Sequence, residues 1–362
     1  MQHATPQNSR ALVDRAGRVL AAEESTADAI ERAWEVLANW RSSHAFPLNT
    51  ITMNLRQKVN RLHQAGLVVQ RLKRTRSILA KLVREPSMRL TQMQDIGGCR
   101  AVVESIDDVY ALHEKYKQSR SIHEFVAEYD YIASPKPSGY RSLHLVYRFR
   151  SNSRPEYNKL LFEIQLRTVT QHAWATAVET VGAVIGQALK SSEGEQVWLS
   201  YFQLASRALE HLEQPSMPVC GAYTKGMIAR SLGELSNRLD VRRKLTAYRT
   251  ALKETEKLHA KGARYFLLVL LPEQPGLQVF AFDKRHAEEA HQAYQRFERQ
   301  MPLRTRQLPL FPELADYSGA QVVLVGAESL RSIREAFPNY YLDTAVYLEK
   351  ISEFMRRYRR ST

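Results

Sequence analysis

Cysteine is nearly absent: two residues in 362, Cys99 and Cys220. Two thiols that far apart make neither a disulfide framework nor a zinc site, which fits a reducing compartment. Long apolar runs are missing too. The longest, Tyr265 to Leu271, lies between Arg264 and Pro272 and is far too short to cross a bilayer. No basic start is followed by an apolar stretch, so no signal peptide is expected. A cytoplasmic protein without a membrane partner is therefore predicted. There is no internal repeat and no low-complexity tract. Acidic residues are in the minority, 38 against 52 Lys and Arg, leaving a formal net charge of +14. That surplus favours polyanions: nucleotide phosphates, RNA or an anionic membrane face. What is present is ordinary globular material, 44% hydrophobic and 25% charged, and enough of it for two domains.

Periodicity divides the chain into four stretches. Residues 1–44 form an N-terminal helical segment with Trp34, Leu37 and Trp40 on one side. Residues 45–215 mix helices and strands. Within them the pattern predicts a helix over 49–63, a basic helix over 67–83 and a strand at 100–103. A helix capped by Asp107 follows, then strands at 125–132, 140–150 and 159–167, and helices at 169–189 and 195–213. Gln214 to Pro218 marks a boundary. A long connecting helix within 219–260 carries Ile228, Leu232, Leu235 and Leu239 on one stripe and several arginines on the other. Residues 261–362 read as a second, smaller α+β domain. It has a hairpin turning at Pro272–Gly276, a helix at 284–300, a strand at 321–325, and a last helix from 344.

Four short pieces carry the chemistry. In the first, Lys73, Ser77, Lys81 and Arg84 share one arc of the predicted basic helix; such a face suits either a polyphosphate or plain solvation. In the second, Asp95-Ile96-Gly97-Gly98-Cys99-Arg100, a carboxylate stands before a glycine pair that permits a tight turn and close ligand approach. Asp95 can hold magnesium, and Arg100 can stack on a nucleotide. The third runs from Asp130 to His144 through Lys136, Ser138, Gly139, Tyr140 and Arg141. Tyr140 offers a flat face for a base. In the fourth, Glu163-Ile164-Gln165-Leu166-Arg167-Thr168, Glu163, Gln165 and Arg167 share one strand face. That row is either a solvated sheet surface or the floor of a site.

Together, in this order and spacing, the four pieces resemble the synthetase domain of the RelA/SpoT family, tightly over residues 71–174 and loosely over 45–215. The resemblance implies an α+β fold: a mixed β-sheet flanked by helices, as in nucleotidyltransferase-like synthetase domains. It implies transfer of the β,γ-diphosphate of ATP to the 3′-hydroxyl of GDP or GTP. Such a transfer asks the protein mainly for positioning and charge neutralisation. Arg71 and Arg100 would sandwich the adenine, while Lys73, Ser77 and Lys81 would hold the donor phosphates. Asp95 and Glu163 would be catalytic and would bind Mg2+, Glu163 also taking the acceptor proton. Tyr140 would stack on the acceptor base, with Lys136, Ser138, His144, Gln165 and Arg167 around it. Ser138 stands where the family has asparagine. The family's long members carry an upstream His-Asp hydrolase; no histidine here is followed by aspartate, and no hydrolase domain is expected. A homo-oligomer is compatible with the resemblance.

Two other readings compete. A toxic relative would pyrophosphorylate tRNA 3′ ends or adenosine nucleotides; the net charge and Ser138 favour it. A catalytically silent RNA- or ribosome-binding module would have no need of Asp95, Glu163 and Tyr140.

Overall fold

A computed structural model describes residues 4–22, 24–62, 66–184, 196–216, 224–243, 245, 263–271, 276–300, 321–326 and 344–358. Its centre is a five-stranded mixed sheet in the order β1-β2-β5-β4-β3. The strands are β1 (Leu67–Leu72), β2 (Gly97–Val103), β3 (Glu124–Asp130), β4 (Leu143–Arg148) and β5 (Leu161–Thr168). β2 and β5 pair in parallel, and the remaining pairs are antiparallel.

One face of the sheet is apolar, as the alternation predicts. Cys99, Ala101, Val103, Leu143, Leu145, Tyr147, Phe162, Ile164 and Leu166 point into a core. α1 (Arg10–Ala21), α2 (Ala27–Ser42), α3 (Ala45–Asn60) and α5 (Ile106–Lys117) cover it. Leu37, Leu55 and Leu112 are almost wholly buried there, each worth about 1.5–3 kcal/mol of transfer free energy. Ser9 and Thr26 cap α1 and α2 through backbone N–H groups. α5 is capped by Ser105, in a capping box with Asp108, rather than by the expected Asp107. Cys99 is a small buried hydrophobe whose thiol burial pushes up to about 12.

The basic helix expected over 67–83 splits. Leu67-Val68-Val69-Gln70-Arg71-Leu72 pairs with β2 as a strand, because its β-branched run finds a sheet edge. Only α4 (Thr75–Arg84) is helical, burying Thr75, Ile78, Leu79 and Leu82. Lys73 thus lies in the turn between them. The Gly97-Gly98 pair sits inside β2, not in a turn. A Cβ on Gly97 would meet the Phe162 ring at 2.6 Å, whereas one on Gly98 would face open space apart from the Glu163 carbonyl at 3.6 Å.

A second core lies on the other side. It joins α6 (Val169–Val184), α7 (Gln196–Glu213) and α8 (Lys225–Leu239) to Tyr140 and Trp174. α8 stops at Leu239 because Asp240 turns left-handed at φ 52°, so no single helix runs through 225–259; residues 246–262 lie outside the described set. The C-terminal unit has a three-stranded antiparallel sheet, β7-β6-β8, made of β6 (Ala263–Leu271), β7 (Gly276–Asp283) and β8 (Gln321–Gly326). α9 (Ala287–Gln300) packs on it through Tyr294 against Leu267 and Val269. The hairpin's turn residues 272–275 lie outside the described set. The last helix, α10 (Ala345–Tyr358), departs from the expectation that it belongs to this unit. It returns to the second core, burying Tyr347, Ile351 and Phe354 against α6, α7 and α8. Its apolar stripe fits that helical layer. Among the described residues no helix is long and apolar enough to cross a membrane.

Candidate active site

Strand pairing builds the site as rows of residues across one sheet face, because paired residues point the same way. One row is Val69, Arg100, Gln165, His144 and Tyr129; the next contains Arg71, Gly98 and Glu163. Gly98, lacking a side chain, opens the space between Arg71 and Glu163. The polar row of β5 is therefore the floor of a cleft of about 510 Å³. Arg71, Lys73, Asp95, Gly98, Arg100, Glu163 and Gln165 line it.

The two carboxylates meet there. Asp95 stands just before β2, and its Oδ2 accepts from Lys73 Nζ at 2.5 Å. Lys81 Nζ, from α4, lies 3.6 Å from Oδ1. Burial alone would raise the Asp95 carboxyl, and so would the Glu163 charge; Lys73 and Lys81 hold it below its ordinary range. Glu163 is more deeply buried. His144, Gln165 and Lys73 outweigh that burial and keep it ionised far below the usual carboxylate range. Each carboxylate therefore feels the other and the same Lys73. Asp95 Oδ1 is buried and accepts no hydrogen bond. Two hard oxygen donors, one with an unused buried atom, suit a magnesium ion that completes its shell with phosphate and water. No group of three or more such ligands occurs among the described residues.

A hydrogen-bonded chain leads away from Glu163. His144 Nδ1 lies 2.8 Å from Glu163 Oε1, and its Nε2 lies 2.8 Å from the Tyr140 hydroxyl. Burial lowers the His144 pKa against the pull of Glu163, so the neutral ring donates from Nδ1 and accepts at Nε2. Gln165 donates to Glu163 Oε2 at 2.5 Å. Its Oε1 receives Arg100 Nε at 3.2 Å and Arg167 Nη2 at 2.7 Å. Arg100 also reaches His172 Nδ1, 3.3 Å away. Burial, Arg167 and Arg71 press Arg100 down to about 9. Three crowded guanidiniums repel one another, and a bound polyanion relieves that repulsion.

Two expectations on the acceptor side need correction. Tyr140 is not an open stacking face: it is 3% exposed, packed edge-on to Tyr131 and His144 and against Trp174. Arg167 is wholly buried and does not reach the cleft. It donates to the Tyr140 hydroxyl and, at 3.3 Å, to Ser142 Oγ, holding the inner end of the chain. Both follow from α6 and α7 closing over β5, which strand alternation does not reveal. The accessible ring is Tyr131, half-buried, stacked on Tyr129 at 5.9 Å and covered by Lys136 Nζ at 4.3 Å. Ser138 is 6% exposed, and its Oγ has no hydrogen-bond partner. Ser77 lies half-buried on α4, one turn before Lys81.

A clamp that no sequence pattern announces fixes the 135–141 loop. Gly139 turns at φ 88° against Ser206 and Gln203. Gln203 donates to the Pro137 carbonyl at 2.8 Å and Ser206 to that of Gly139. Arg141 pairs with Glu210. All three partners lie on α7, some seventy residues downstream, where no local pattern points back to the loop.

Comparison with known proteins shows which family the chain resembles. A profile described as "Region found in RelA / SpoT proteins" matches residues 70–181. GTP pyrophosphokinase YwaC of Bacillus subtilis is 32% identical over 157 residues, 39% of this chain and 73% of that protein. GTP pyrophosphokinase YjbM of the same organism is 32% identical over 166 residues, 45% of this chain and 76% of that protein. The crystal structure of small alarmone synthetase 1 from Bacillus subtilis, bound to its product pppGpp, aligns at 27% identity. That alignment covers 51% of this chain and 94% of that one, with a TM-score of 0.43. At that identity and coverage, and with the profile matching residues 70–181, the chain belongs to the RelA/SpoT family.

Proposed function

We propose that the protein transfers the β,γ-diphosphate of ATP to the 3′-hydroxyl of GDP or GTP, making guanosine tetra- or pentaphosphate. The observation that carries this reading is the pair of ionised carboxylates, Asp95 and Glu163, facing one cleft ringed by Lys73, Lys81, Arg71 and Arg100. The two lysines grip the donor phosphates once these displace Asp95 from them. Arg71 and Arg100, diagonal neighbours on β1 and β2, bracket the adenine. Asp95 and Glu163 would hold a magnesium ion, which when bound spreads the charge of the phosphates. Glu163 takes the proton of the attacking hydroxyl, and His144, donating to it from Nδ1, fixes its orientation. Gln165 holds the other oxygen. Lys136 and Tyr131 receive the acceptor, while Tyr140 holds His144 from behind.

Labelled ATP offered with GDP, GTP, ATP and deacylated tRNA as acceptors tests the reading. Label on guanosine nucleotides is the expected result. Label on tRNA or adenosine nucleotides moves the protein to the toxic branch, for which Ser138 and the +14 charge speak. No label anywhere sinks enzymatic transfer and leaves the binding module.

A further inference from the structure

One face of α7 serves the acceptor side of the cleft. Gln203, Ser206, Glu210 and Glu213 recur there at helical spacing, while Tyr201, Phe202, Ala205 and Leu209 of the same helix pack in the second core. The packing fixes the helix, and the polar stripe fixes what hangs from it. Glu213 accepts from the Thr168 hydroxyl at the end of β5. Gln203 and Ser206 donate to the Pro137 and Gly139 carbonyls. Glu210 takes the Arg141 guanidinium, with side-chain exposures of only 13% and 11%. One packed helix thus holds both the 135–141 loop and the strand that carries Glu163.

Arg141 carries the clamp across the loop. Its Nη1 pairs with Glu210 and also donates to the Ile132 carbonyl at 3.3 Å, and its Nε donates to Ser206 Oγ at 3.3 Å. Ile132 directly follows Tyr131, the ring that Lys136 covers. One planar guanidinium therefore spans both limbs, the entering one at Ile132 and the leaving one at Arg141 itself. A buried ion pair adds little net stability over apolar side chains of similar volume, but its fork fixes distance and angle together. The backbone closes the tip only on itself: Lys136 N–H donates to the Tyr140 carbonyl at 3.2 Å and Gly139 N–H to that of Lys136 at 2.8 Å.

We infer that Glu210 is a positioning residue for the acceptor: by holding Arg141 it sets Tyr131 and Lys136 in a fixed place on the acceptor side of the cleft. This role rests on the acceptor-site reading above and deepens it. A side chain at 210 that cannot accept leaves the guanidinium free to turn from the Ile132 carbonyl, and the ring and ammonium lose their fixed place. The donor groups Arg71, Lys73, Lys81 and Arg100 stand on β1, α4, β2 and the turn between β1 and α4, outside the clamp.

The experiment measures, by calorimetry on the full chain, the affinity and stoichiometry of GDP with a non-hydrolysable ATP analogue and magnesium present, and of the analogue alone. The proteins are wild type, Glu210→Ala, Glu210→Gln, Arg141→Met and the double variant Glu210→Ala with Arg141→Met. Glu210→Ala is expected to weaken GDP about tenfold, the scale of one hydrogen bond's net contribution. Glu210→Gln keeps the volume and a neutral acceptor oxygen. Charge-assisted bonds are roughly twice as strong as neutral ones, so about a threefold loss is expected; this variant carries the test if Glu210→Ala does not fold. Stoichiometry and analogue affinity hold in both. In the Arg141→Met background Glu210→Ala is expected to have no further effect. An unchanged GDP affinity overturns the inference, as does a further loss without Arg141. So does a fall in stoichiometry at constant affinity, which is what a purely structural role gives. Because binding needs no turnover, a wild type that binds GDP yet labels no acceptor defeats the transfer reading alone. A wild type that does not bind GDP defeats both.

Discussion

Lys73 and Asp95 meet at 2.5 Å, ammonium to Oδ2, at the mouth of the cleft. The chain thus stores its own cation where a divalent ion and phosphate would enter. Substrate charge can displace it because Asp95 and Lys73 stay partly accessible, with side-chain exposures of 24% and 16%.

The first prediction concerns this carboxylate pair. Asp95→Asn and Glu163→Gln each lower turnover by about 10²-fold or more, the scale on which preorganised charge acts, and shift the thermal midpoint little, since neither side chain packs in an apolar core. Chelating magnesium has the same effect on wild type. Steady-state kinetics beside thermal melts decide it. Residual turnover near wild type in either variant contradicts the assignment.

A second prediction separates the two tyrosines. Tyr131→Ala removes the accessible ring, and base stacking contributes about 1–3 kcal/mol, so the acceptor KM rises while the ATP KM holds. Tyr140→Phe instead deprives buried Arg167 and His144 of a partner, costing about 1–3 kcal/mol of stability. Urea titrations and acceptor-saturation curves on both variants read the difference. An acceptor KM indifferent to Tyr131→Ala removes that ring from the site.

A third prediction is a pH dependence. His44, between α2 and α3, is 1% exposed beneath Phe162 and lies 2.7 Å from the Trp40 carbonyl. Burial lowers its pKa to about 4, against the partial rescue of that carbonyl and with Arg41 and Arg10 adding to the fall. The unfolded chain binds this proton near 6.5, so the native state binds fewer protons below that pH. Stability is therefore full above 6.5 and declines as pH falls toward 4, by about 3 kcal/mol in all. Between pH 7 and 4 the unfolding free energy should fall by about 3 kcal/mol more in wild type than in His44→Leu. Parallel curves would falsify the assignment to His44.

A fourth prediction follows from α10. Phe354→Ala empties a fully buried position among α6, α7 and α8 and costs about 3–5 kcal/mol, as strong an effect as a core change inside residues 45–215. Denaturant unfolding of the full chain measures it. A loss below about 1 kcal/mol would mean that the helix sits elsewhere.

The sequence by itself determined the sheet's inner and outer faces. A period of two leaves Phe162, Ile164 and Leu166 no alternative to the core and sets Glu163, Gln165 and His144 opposite them. It also determined the family, because four motifs in register carry the charges of one cleft. Tertiary structure decided what depends on partners far along the chain. Residues 67–72 became a strand only because β2 offered hydrogen bonds, which overrode a pattern compatible with helix. Tyr140 and Arg167 were sealed by α6 and α7, leaving Tyr131 accessible. α10 joined the second core, and Arg141 came to meet Ser206 across 65 residues of sequence. Local patterning fixes which way a side chain points from its own strand or helix; what covers it is settled by long-range packing, which leaves no periodic trace.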